Sequence, residues 1–122
     1  MLSEIQINIF SEFDRIIQKK YALITLSGIV KELQGLLINS KTKKRKKVEF
    51  ALQFLKSAQV KILNEELLSS ETIDEYIIRI AKKSNFIVAT NDQDLRHKLR
   101  IEGISIIYLR QRSHLVLDGY VG

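Results

Sequence analysis

The chain is 122 residues long, contains neither cysteine nor proline, and carries a formal charge of +6 with a pI near 9.6. That length suits one domain with a buried core and is short for two, and the absence of cysteine excludes disulfides, thiolate metal sites and a thiol nucleophile. No apolar run approaches the roughly 18 residues of a membrane span and no signal-like segment opens the chain, so a cytoplasmic protein without membrane association is expected, its basic surplus favouring a polyanionic partner, nucleic acid first.

From Ser3 to Gln18 the apolar positions Ile5, Ile9, Phe13, Ile16 and Ile17 follow helical spacing, although Ile5, Ile7 and Ile9 also alternate as a strand would. Helix is the expectation. Tyr21 to Leu26 reads as a strand, and Ser27 can cap a helix whose inward face includes Ile29, Val30, Leu33 and Leu36, with Glu32 near its start. Asn39 to Lys47 is expected to be loop or frayed helix; its run of Lys41, Lys43, Lys44, Arg45, Lys46 and Lys47 suits phosphate contact and a solvated surface equally. Val48, Leu52, Phe54 and Leu55 then mark an amphipathic helix, and Gln59 to Leu63 a short strand.

Thr72-Ile73-Asp74-Glu75 has the capping-box form, so a helix begins there and runs to about Ser84 with Ile73, Ile77, Ile80 and Ala81 on its apolar face. A strand from Phe86 to Ala89 leads into the polar turn Thr90-Asn91-Asp92-Gln93-Asp94, where Thr90 or Asn91 can cap a helix that carries Leu95 and Leu99 and ends near Glu102. Gly103 closes it, Ile104 to Leu109 forms the next strand, and His114 to Leu117 adds an edge strand. Strands alternating with helices predict a single α/β domain spanning 1–122, a three-layer α/β/α arrangement around a mainly parallel sheet with right-handed crossovers.

Glu32, Asp74, Asp92 and Asp94 share a placement in this reading: each sits in a helix's first turn or directly after a strand, on one edge of the sheet. Carboxylates gathered there suit Mg²⁺ or Mn²⁺ and, with them, phosphodiester hydrolysis. Each acid singly also has a plain structural use, capping a helix or complementing its dipole. A second basic group, Arg96, His97, Lys98, Arg100, Arg110 and Arg112, suits phosphate contact. No Gly-rich phosphate loop, nucleophile elbow or paired histidine ligands compete with this chemistry. His97 and His114 read as surface residues or phosphate contacts, and Tyr21, Tyr76 and Tyr108 as core rather than base-stacking platforms.

Five stretches together resemble a PIN domain: Ile9-Phe10-Ser11-Glu12-Phe13, Ile29-Val30-Lys31-Glu32-Leu33, Asp74-Glu75-Tyr76-Ile77, Ile87-Val88-Ala89-Thr90-Asn91-Asp92 with Asp94-Leu95-Arg96, and Ile106-Ile107-Tyr108-Leu109-Arg110. The likeness is to the branch related to ribosome-biogenesis endonucleases and their archaeal counterparts. It implies a metal-dependent ribonuclease lineage in which Glu32, Asp74 and Asp92 fall on the catalytic acidic positions. Asp94 is then a further ligand for Mg²⁺ or Mn²⁺, and Thr90 the polar residue supporting them. RNA is the implied partner, contacted by Lys43, Lys44, Arg45, Lys46, Arg96, Lys98, Arg100, Arg110 and Arg112.

One departure stands out. PIN domains open with a central strand ending in an Asp-Thr-Asn-like turn whose Asp is a principal ligand, whereas this chain begins at what resembles the following helix. A lost central strand would leave buried N–H and C=O groups unpaired at about 1–3 kcal/mol each. The expectation is therefore that an upstream segment, a partner chain or second copy, or a rearranged sheet completes the fold. Weak or absent cleavage follows, in an RNA-binding domain of rRNA-processing type. The alternatives are a non-catalytic RNA-binding or assembly module and the toxin of a toxin–antitoxin pair.

Overall fold

In the computed structural model residues 8–39 and 42–121 are described. In chain order the elements are α1 (Ile9–Ile17), β1 (Ile24–Leu26), α2 (Ser27–Asn39), α3 (Thr42–Ser57), β2 (Lys61–Leu63), α4 (Ile73–Ser84), β3 (Val88–Ala89), α5 (Gln93–Ile101), β4 (Ile106–Arg110) and β5 (His114–Asp118). The α/β class read from the sequence holds. The described residues form two compact units, one within 21–68 and the other joining 8–20 to 69–121. None of the described helices is long and apolar enough to cross a membrane.

In the first unit β1 and β2 run parallel, with Leu26 opposite Leu63. Leu26 and Val48 are its buried residues, and the Ser27 hydroxyl donates to the Glu65 carbonyl at 3.0 Å. Contrary to the loop or frayed helix expected over Asn39 to Lys47, helix α3 already begins at Thr42. Six neighbouring cations oppose that, but Arg45 offsets the repulsion twice. Its Nε donates to Glu49 one turn on at 3.1 Å, and its Nη1 donates to the Leu37 carbonyl at 3.1 Å, serving one of the orphan carbonyls in the last turn of α2. Lys41 and the side chain of Lys43 lie outside the described residues.

The second unit holds the larger core, in which Ala81, Leu95, Leu99, Ile104 and Ile106 pack together with Phe86, Val88 and Tyr108 against them. Tyr76 is fully buried, as its place in an apolar segment suggests. The predicted capping box is present: the Thr72 hydroxyl accepts from Glu75 N at 3.2 Å and the Glu75 carboxylate accepts from Thr72 N at 2.9 Å. The Thr72 N–H first, and the Thr72 hydroxyl second, hold the Glu75 carboxyl below its usual range. At the other end Asn85 turns left-handed (φ 56°) and Phe86 N closes on Ala81 O at 3.0 Å. That closure takes Phe86 out of the strand, so β3 begins only at Val88.

β3 pairs parallel with β4, Val88 opposite Ile106, and β4 pairs antiparallel with β5, Leu109 opposite Leu115. Helix α1, capped by Asn8, then secures β5 on its outer edge. Its first expected residues, Ser3 to Ile7, lie outside the described ones. Glu12 accepts from Leu115 N at 2.8 Å while Arg15, itself bonded to Glu12 at 3.0 Å, donates to Leu115 O at 2.8 Å. Two side chains thus serve one residue's N–H and C=O as a further strand would. The Arg15 guanidinium first, and the Leu115 N–H second, hold the Glu12 carboxyl down to about 2.

Candidate functional site

The acidic corner of the second unit is built by the turn between β3 and α5. Thr90 N continues the β3–β4 ladder by donating to Ile107 O at 3.0 Å, and its hydroxyl accepts from Asp92 N at 3.2 Å. Asn91 turns the other way and its side-chain oxygen accepts from Leu109 N at 2.8 Å, fastening the turn to β4. With both residues committed, the cap falls to Asp92, whose Oδ1 accepts from Leu95 N at 3.1 Å. This corrects the expectation that Thr90 or Asn91 caps α5. Asp94 stands exposed in the first turn of the same helix.

Asp74 reaches this corner from the first turn of α4. Its Oδ2 accepts from the Lys98 ammonium at 3.0 Å. The hydrogen bond to Asp74, then its charge, and more weakly those of Asp94 and Asp92, raise the Lys98 pKa above its ordinary value. One ammonium therefore sits in the field of three of the four carboxylates singled out in the sequence. The fourth, Glu32, lies exposed on α2 in the first unit.

The arrangement bears directly on a divalent ion. Mg²⁺ asks for near-octahedral oxygen ligation. Among the described residues no three His, Cys, Asp or Glu side chains come together in a way that could hold a metal ion. Asp74 is closed on Lys98 and Asp92 is drawn into the helix cap, so the corner as arranged does not fit such an ion.

The basic residues divide by what they touch. Lys44, Arg45 and Lys46 are exposed on α3, Arg45 holding Glu49 as described. Arg100 is bonded to Asp118, and Arg110 and Arg112 are exposed at the end of β4 and in the turn after it. Arg96 lies over the Tyr108 ring with its guanidinium carbon 4.3 Å from the centroid, and its buried Nε has no hydrogen-bond partner among the described residues. His97 is exposed, while His114 Nδ1 lies 2.9 Å from the Ser113 hydroxyl. Two residues do more than the sequence predicts: Tyr108, expected as core, and Asn91, expected as a cap. The first is half-buried against the core and also carries the arginine. An aromatic at alternate spacing in a strand signals a packed ring but not what covers its free face.

A family model described as a PIN like domain matches residues 1–112. The chain is also similar to Ribonuclease VapC4 of Methanocaldococcus jannaschii, with 32% identity over 117 residues that cover 95% of this chain and 87% of that one.

Proposed function

Because this chain belongs to the PIN-like domain family, we propose that it engages RNA as a member of a ribonuclease lineage whose cleavage chemistry is weak here. The bond between Lys98 and Asp74 carries this reading. The family resemblance puts Glu32, Asp74 and Asp92 on the acidic positions, with Asp94 as a further ligand and Thr90 as the supporting polar residue. Mg²⁺ or Mn²⁺ bound by such acids would supply an activated water and charge for the leaving oxygen. In this chain an ammonium holds Asp74 instead, and Asp92 serves the fold by capping α5.

RNA binding does not need that chemistry. Lys44 and Lys46 on α3, and Arg96, Arg110 and Arg112 in the second unit, are the cations from which backbone contacts are drawn, Arg45, Lys98 and Arg100 being paired with Glu49, Asp74 and Asp118. Each phosphate neutralised on a single strand contributes a salt slope of about −0.7. The test is RNA affinity measured against salt with EDTA and again with Mg²⁺. Four to five contacts predict a slope of about −3 that chelation leaves unchanged, falling to about −1.6 in the Lys44→Gln, Lys46→Gln variant. Binding that disappears with EDTA, or that ignores salt, refutes the reading.

Among the roles that the sequence leaves open, the name of the similar ribonuclease fits the toxin of a toxin–antitoxin pair better than rRNA processing. Growth arrest on expression, relieved by the product of a neighbouring small gene, supports the toxin role.

A further inference from the structure

Helix α5 carries three permanent cations at alternate positions, and two of them are neutralised within the protein: Lys98 by Asp74 and Arg100 by Asp118. Arg96 is treated differently. Its guanidinium rests on the Tyr108 ring at 4.3 Å, and its Nε–H is sealed from solvent without an acceptor among the described residues. A guanidinium does not deprotonate in proteins, so this charge cannot be relieved by losing a proton. A ring face also attracts a cation without cancelling its charge.

The ring that holds it is itself held. Tyr108 lies in the middle of β4, opposite Val116 of β5, and packs against the cluster of Ala81, Leu95, Leu99, Ile104 and Ile106. Arg96 N donates to Asp92 O at 2.9 Å, which fixes the backbone end of the side chain one turn into α5. Both ends of the arginine are therefore set before any ligand arrives. Ordering a long, flexible side chain is a main cost of making a charged contact, and here it is met in folding.

We propose that Arg96 and Tyr108 form a preset oxyanion grip for one phosphate of the RNA backbone, Arg96 making the contact and Tyr108 positioning it. The inference rests on the reading that this chain engages RNA. Phosphate is the fitting anion because the planar fork of a guanidinium matches two of its oxygens, a geometry that a lysine ammonium lacks. Phosphate contacts fix register along a strand without reading its bases, so the grip positions RNA irrespective of sequence.

The experiment measures single-stranded RNA affinity of the full chain by fluorescence anisotropy, with circular dichroism showing that each variant is folded. Arg96→Gln should weaken binding about three- to tenfold and flatten the salt slope by about 0.7, and Arg96→Lys should weaken it while keeping the slope. Tyr108→Phe, which retains the ring, should bind as the parent does; Tyr108→Leu should lose as much as Arg96→Lys although no charge has changed. A folded Tyr108→Leu, or an Arg96→Lys, that binds like the parent overturns the proposal. If Tyr108→Leu does not fold, the Arg96 variants and the Arg96 Nε–H resonance decide. If the parent binds no RNA, the RNA reading fails by itself, and titration with inorganic phosphate tests the grip separately: a saturable shift of the Nε–H resonance supports it and an unmoved resonance overturns it.

Discussion

Replacing Asp92 separates its capping oxygen from its charge, because asparagine keeps the first and removes the second, whereas alanine removes both. Asp92 caps α5 through one oxygen, 3.1 Å from Leu95 N, at the rim of the larger core that Leu95 and Leu99 enter. Alanine removes that acceptor and should cost about 1 kcal/mol, the middle of the range for N-caps. For 122 residues the unfolding entropy near the midpoint is roughly 0.26 kcal/mol per kelvin, so the melting temperature should fall by about 4 °C. Asparagine is as good a cap and forfeits only the charge–dipole part, a few tenths of a kcal/mol or roughly 1 °C. Calorimetry of the three proteins at one pH measures both steps. Equal melting temperatures for Asp92→Ala and the parent would refute the capping argument, and so would an asparagine variant that falls as far as alanine.

Two further outcomes follow from the charged contacts. Lys98→Gln removes the ammonium from the field of Asp74, Asp92 and Asp94, so Mn²⁺ affinity followed by electron paramagnetic resonance should rise about thirtyfold, the effect of about 2 kcal/mol between one unit charge and a divalent ion roughly 4 Å away in water; unchanged affinity contradicts the hold of Lys98 on the corner. Glu12 has its folded carboxyl pKa at about 2, below the ordinary 4.5, so its contribution to stability is complete above pH 4.5 and is lost as pH falls toward 2. The stability gap between the parent and Glu12→Gln, read by urea denaturation, should therefore shrink through that window and stay constant above it. A gap that widens on acidification would contradict the latch on Leu115.

Features set within a few residues were legible from the amino-acid order. Thr72 and Glu75 stand three apart and meet in the first turn of α4, and Gly103 takes the positive φ expected of the residue closing α5. What escaped was set at longer range. Thr90, Asn91 and Asp92 are all good caps, and the choice among them was made by β4, which holds Thr90 through Ile107 O and Asn91 through Leu109 N. The helical start of α3 depends on Arg45 reaching back to a carbonyl of α2, which charge counting along a basic run does not reveal. Asp74 reads as a candidate acid and Lys98 as a candidate phosphate contact, yet they lie 24 residues apart, and only the approach of α4 to α5 joins them. Arg96 likewise reads as a cation and Tyr108 as core, and their stacking belongs to neither local pattern.

RNA cleavage in the presence of Mn²⁺, on both structured and single-stranded substrates, tests the central claim that Lys98 holds Asp74 of the acidic corner from within. The account predicts that the parent binds RNA with and without the ion and cleaves it feebly, with Asp92→Asn changing neither binding nor turnover by much. Rapid turnover by the parent that Asp92→Asn abolishes would contradict it.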